Sequence, residues 1–128
     1  MIYLDTSVLL AQLLAEDRRP SARLWTEPVV ASRLVEYEVW VRIQALGLAR
    51  SHRAAVEAVL ARLAFLEPSR PVLARALEPF PKPVRTLDAL HLASIEFLRQ
   101  MGQEVRLASY DRRLNDAARS LSIPLEDV

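Results

Sequence analysis

Four carboxylates stand where the edge of one sheet would gather them. Asp5 ends the apolar run IYL and is followed at once by Thr6 and Ser7. Glu38 lies in the first turns of the helix after PVVAS, Asp88 lies in RTLDALHLAS, and Asp111 follows VRLAS after one residue. Taken singly, each has an ordinary explanation. Asp88 and Asp111 suit a helix start, where the dipole favours an acid by ~0.3–1 kcal/mol. Glu38 has Arg42 one turn on, an exposed pair of roughly 0.2–0.5 kcal/mol. Taken together, they are like charges that cannot all stay ionised without a partner, and the sequence sets no obvious arginine among them. Divalent cations resolve the conflict. The chain has no cysteine, and hard carboxylate oxygens select Mg2+ or Mn2+. On this reading Asp5 is a metal ligand.

The elements that must position these acids alternate. Strands are predicted over 2–4, 28–32, 64–68 and 105–109, with a further edge strand over 124–128. Helices are predicted over 6–15, 21–25, 34–48, from Ser51 to about 63, and over 71–77, 86–101 and 110–121. Pro20 starts the second helix, Gly47 ends the third, Ser51 caps the fourth and Thr86 caps the long one. In the third helix, Leu34, Val41 and Ala45 share the face of Glu38 at helical spacing. Short apolar strands alternating with helices define an α/β fold with a mostly parallel sheet covered on both faces. Ligands in such folds bind beyond the carboxyl ends of strands, which is where Asp5 and Asp111 fall.

Composition narrows the class. The 128 residues, 52% hydrophobic and 26% charged with two glycines, suit one domain spanning 1–128. The proline-rich stretch 78–85 reads as a loop inside that domain. A formal net charge of +1 gives no global pull toward nucleic acid or membrane. The absence of cysteine excludes disulfides, thiolate metal sites and cysteine nucleophiles. No apolar run reaches the ~20 residues that span a bilayer, and the start MIYLD has no signal-peptide pattern. A cytoplasmic protein is expected.

In order and spacing, the acids and their neighbours resemble the PIN-domain ribonucleases, most closely the VapC-like toxins of type II toxin–antitoxin pairs. LDTSVLL is similar to the family's first motif and gives Asp5. SRLVEYE is similar to the second and gives Ser32 and Glu38. TLDALHLA matches the third, with Asp88 and His91, and SYDRRL the fourth, with Asp111 and with Ser109 in a place the family fills with threonine.

The resemblance implies a three-layer α/β/α sandwich around a parallel sheet of four or five strands. It implies an endoribonuclease that hydrolyses phosphodiesters with Mg2+ or Mn2+. Asp5 and Asp88 would be direct ligands, and Glu38 and Asp111 would complete the site directly or through water. Thr6, Ser32, Thr86 and Ser109 would orient carboxylates or phosphate by hydrogen bonds. RNA substrate, a cognate antitoxin and a homodimer are the implied partners. Arg85, Arg112 and Arg113 flank the acids and suit the RNA backbone. His91 is expected to pack or hydrogen-bond locally within an apolar helix, and Trp25, Trp40 and Tyr37 to pack in the core or an interface. The alternatives are a catalytically silent PIN domain that binds RNA or protein, and an aspartyl-phosphate phosphatase. The phosphatase would want a second aspartate where this chain has Ser7.

Overall fold

The computed structural model describes residues 1–14 and 17–128. Four strands form one sheet: β1 (Ile2–Leu4), β2 (Val29–Ser32), β3 (Ala64–Leu66) and β4 (Arg106–Ala108). Their spatial order is β3-β2-β1-β4, and every pairing is parallel. The helices are α1 (Thr6–Leu14), α2 (Leu34–Ala45), α3 (Ala49–Leu60), α4 (Arg70–Ala76), α5 (Thr86–Gln100) and α6 (Arg112–Ser120), with a 3-10 helix at Ala22–Thr26 after β1 and α1. The expected end of the first helix at Ala15 lies outside the described residues.

Strand alternation explains the layers. Successive side chains point to opposite faces of a sheet. Ile2, Leu4, Val29 and Ala31 therefore join Val8, Leu9, Val35, Val39, Ile43 and Val56 on one side. Tyr3, Val30 and Leu107 join Leu92, Ile95, Leu114 and Ala117 on the other. The sheet is thus buried between two layers of helices, the three-layer α/β/α sandwich expected of its all-parallel strands. The edge strand expected over 124–128 is reduced to one parallel bridge, Leu107 with Leu125, beside β4.

The chain leaves β1 to one side for β2 and returns to the other for β4. The switch point lies between β1 and β4, at their carboxyl ends. Asp5 and Ser109 are the residues that follow those two strands.

Three local expectations are corrected. The buried stripe of α2 is Val35, Val39 and Ile43, and Val41 is 67% exposed. Apolar residues lie all around this helix, so spacing alone could not fix which face turns inward. The start of α3 moves back to Ala49, because Gly47 (φ +71) ends α2 in a left-handed turn and the chain re-enters helix at once. Ser51 is inside that helix and donates to the Leu48 carbonyl at 3.3 Å. Finally, Arg85 rather than Thr86 holds the N-cap position of α5. Thr86 already has helical backbone, because Asp88 ties the Arg85 amide from the third helical position.

Candidate active site

The four acids come from four parts of the chain and line one cleft of about 660 Å3. Asp5 leaves the end of β1, Glu38 rises from α2, Asp88 sits in the first turn of α5, and Asp111 caps α6. Asp5 and Asp88 are buried, Glu38 is half-buried and Asp111 is exposed at the rim.

Each acid spends one oxygen on the scaffold. Asp5 Oδ2 accepts from the Ser7 hydroxyl at 2.7 Å, the Ser109 hydroxyl at 2.9 Å and the Ser7 amide at 3.4 Å. Asp88 Oδ2 accepts the Arg85 amide at 3.2 Å. Asp111 Oδ1 accepts the Arg113 and Leu114 amides at 2.9 and 3.3 Å, which caps α6. Glu38 Oε1 takes His91 Nε2 at 2.8 Å. Among the described residues, the second oxygen of each carboxylate has no protein hydrogen-bond partner. Those unused oxygens are hard donors of the kind Mg2+ and Mn2+ accept.

The expected orienting hydroxyls behave differently from one another. Ser109 is the one that touches an acid: it donates to Asp5 and accepts the Asp111 amide at 2.9 Å. Ser32 accepts the Leu34 amide at 3.2 Å, at the start of α2. Thr6 Oγ1 is buried without a hydrogen-bond partner among the described residues, and Thr86 is exposed on the cleft wall. Sequence reasoning passed over Ser7, whose hydroxyl binds Asp5 and accepts the Tyr110 amide at 2.9 Å. The available signal was a hydroxyl two residues after a strand-end aspartate, which suits a side-chain-to-backbone turn.

His91 is buried to 1% exposure and uses both ring nitrogens. Nε2 donates to Glu38, and Nδ1 meets the Tyr3 hydroxyl at 2.7 Å. Tyr3 in turn accepts the Ser32 amide at 3.2 Å. Burial opposes a charge on the imidazole. The Glu38 hydrogen bond and the charges of Glu38, Asp5 and Asp88 outweigh it and hold the His91 pKa above its ordinary value. Tyr3 is held away from ionisation: burial above all, with Asp5 and Glu38, pushes its pKa up, against the hydrogen bond from the Ser32 amide. It stays a neutral phenol.

The supposition that no arginine stands among the acids is corrected. Arg85, Arg112 and Arg113 line the same cleft. The fold carries them there because Arg85 immediately precedes α5 and Arg112 and Arg113 open α6. Among the described residues none of them forms an ion pair with Asp5, Asp88 or Asp111, and the one ion pair to a site acid is His91 with Glu38. Trp25 and Trp40 lie under Arg62 and Arg53, with guanidinium-to-ring distances of 4.0 and 5.3 Å.

A hard cation fits this donor set in one particular way. Among the described residues no three Asp, Glu, His or Cys side chains form a ready-made metal cage. Mg2+ commonly binds through one or two carboxylates, keeping waters and taking substrate phosphate oxygens for the rest. A water- and phosphate-completed ion is the kind this open cleft suits.

An α/β/α sandwich with four acids at the switch point of its sheet defines a class, and the match to known proteins agrees. A PIN domain family model matches residues 2–120, and the chain belongs to the PIN-domain family. It is 34% identical over 126 residues to Ribonuclease VapC46 of Mycobacterium tuberculosis, covering 95% of this chain and 93% of that one. It is 33% identical over 129 residues to Ribonuclease VapC35 of the same species, covering 96% and 93%. Among solved structures, M. tuberculosis VapC20, described as a Sarcin-Ricin loop cleaving toxin, superposes with TM-score 0.68 at 21% identity over 91% of this chain and 95% of that one. VapBC2 from Rickettsia felis, bound to a DNA fragment from its promoter, superposes with TM-score 0.70 at 16% identity over 98% of each chain. The ribonuclease relatives support a nuclease. Among the described residues no helix is long and apolar enough to cross a membrane.

Proposed function

We propose that this chain, one PIN domain over 1–128, is a divalent-metal-dependent endoribonuclease and the cytoplasmic toxin of a toxin–antitoxin pair. The observation that carries the chemistry is the division of labour in the four carboxylates: among the described residues, each anchors one oxygen and leaves the other without a protein partner, in a shared cleft. A bound Mg2+ or Mn2+ supplies Lewis acidity to activate water and neutralise the leaving oxygen. Asp5 and Asp88 would hold it directly, and Glu38 and Asp111 would complete its shell directly or through water. Ser7 and Ser109 keep the Asp5 carboxylate from rotating. Arg85, Arg112 and Arg113 take the phosphates of the RNA on either side of the scissile bond, and guanidinium groups are suited to that contact. The named relatives support the nuclease class, and the VapBC2 neighbour supports an antitoxin partner. A homodimer is part of the same reading.

The test is Mn2+- or Mg2+-dependent cleavage of structured RNA by the wild type and by Asp5→Asn. The wild type should cleave, and the variant should fold yet be inert, since losing one charge eases repulsion within the cleft. Equal cleavage by both would remove Asp5 from the mechanism.

A further inference from the structure

We propose that His91 and Tyr3 are positioning residues, a buried bar that fixes the Glu38 carboxylate for a divalent cation; the proposal rests on the metal-dependent reading above. Glu38 differs from the other acids in what anchors it. Asp5, Asp88 and Asp111 are held by hydroxyls or amides within or beside their own element, or across the short gap from β1 to β4. Glu38 is on a long side chain four positions into α2, and its anchor is a histidine from another helix, 53 residues on.

That histidine is itself anchored. Its Nδ1 meets a tyrosine hydroxyl from the middle of β1 at 2.7 Å, and the same hydroxyl accepts the Ser32 amide where β2 ends. The Tyr3 and His91 rings meet edge to face, 73° between planes with centroids 5.8 Å apart, so the imidazole is held by packing as well as by hydrogen bonds. The bar therefore ties together β1, which Asp5 follows, and β2, α2 and α5, which carry Ser32, Glu38 and Asp88.

The geometry also weighs against the more obvious role, although His91 is among the residues that line the cleft. A general base needs a nitrogen lone pair within reach of the water it deprotonates. Both nitrogens of His91 are already engaged by protein partners, and the ring is 1% exposed. A histidine that binds a carboxylate on one side and a phenol on the other is built to orient, as the outer partners of metal ligands do. Without it, Glu38 would sweep several rotamers and present its free oxygen to the cleft only part of the time.

The experiment measures Mn2+ binding by calorimetry to the metal-free protein, without RNA, for wild type, His91→Leu, His91→Gln, Tyr3→Phe and Glu38→Gln. His91→Leu should weaken Mn2+ about tenfold or more, the range for outer partners of ligands. His91→Gln keeps an amide N–H near the Nε2 position and should recover most of that loss. Tyr3→Phe keeps the ring and should weaken binding by a smaller factor. In a Glu38→Gln background, His91→Leu should have no further effect on Mn2+ affinity, because the two act as a unit. If His91→Leu fails to fold, Tyr3→Phe and His91→Gln carry the comparison. Variants that melt earlier but bind Mn2+ like the wild type would make the bar merely structural and overturn the proposal. A wild type that takes up no Mn2+ would overturn the metal-dependent reading first and this proposal with it, so the two failures are told apart by the wild-type control.

Discussion

Ser109 and Asp5 are 104 residues apart in the chain, and the Ser109 hydroxyl donates to Asp5 Oδ2 at 2.9 Å. The contact follows from the parallel register of β1 and β4, which pairs Leu4 with Ala108. The residue after each strand then emerges beside the other. Ser109 also accepts the Asp111 amide, so one hydroxyl joins two acids of the cleft.

Ser109→Ala should therefore act twice. Asp5 loses one of its two hydroxyl donors, and RNA cleavage should fall about tenfold or more. The Asp111 amide loses its acceptor, and stability should fall by ~1–3 kcal/mol where that amide stays out of water. Ser109→Thr should restore both, because it returns the hydroxyl. Cleavage rates and urea melts of the three proteins measure the two effects separately.

The strands and the four acids were legible because both signals are local. Short apolar runs such as IYL end directly in a carboxylate, and no distant residue is needed to read them. The inward face of α2 was not legible, since Leu34, Val35, Val39, Trp40, Val41 and Ile43 surround the helix and leave no clean stripe. The partners of His91 were equally hidden. Its sequence neighbours are apolar, while its partners Tyr3 and Glu38 stand 88 and 53 residues away. Arg85, Arg112 and Arg113 could be seen to flank Asp88 and Asp111, but only the α5 and α6 starts facing one cleft put them among the acids.

Metal binding should raise the melting midpoint. A ligand that binds only the native state stabilises it by about 2.7 kcal/mol at a hundred times its dissociation constant, which is several degrees for a domain of this size. Mn2+ should shift the wild-type midpoint and EDTA should reverse the shift. Asp5→Asn should melt no lower than wild type without metal and gain little with it. An unchanged wild-type midpoint at millimolar Mn2+ would count against the site.

At the opposite end of the sheet, Arg106 binds Glu27 at 2.7 and 2.8 Å and Glu126 at 2.6 Å. The Arg106 hydrogen bond, aided by its charge and that of the chain's amino terminus, outweighs partial burial and lowers the Glu27 pKa. A folded pKa below the unfolded one stabilises the protein above the unfolded value, and that contribution is lost as pH falls through the folded one. Glu27→Gln should therefore melt below the wild type at pH 7, and the gap should close in acid, where both side chains are neutral. Melting curves from pH 7 to pH 3 check this, and a gap that stays constant would show that Glu27 acts through packing instead.

The cleft arginines should be visible through salt. Neutralising RNA phosphates releases counterions, and for single strands log K falls against log salt with a slope of about −0.7 per phosphate contacted. Arg85, Arg112 and Arg113 line the cleft without pairing with Asp5, Asp88 or Asp111 among the described residues, so their charges are available to a bound backbone. RNA binding is best measured in the Asp5→Asn background, where the substrate should stay intact. Arg85→Ala and Arg112→Ala should each weaken binding across sequences and make the slope shallower by about 0.7. Arg119 is the internal control: it is exposed and paired with Asp116 at 2.9 Å, and Arg119→Ala should leave the slope near its original value. If all three substitutions change the slope alike, the contacts are spread over the α6 face and the cleft arginines have no special part in holding RNA.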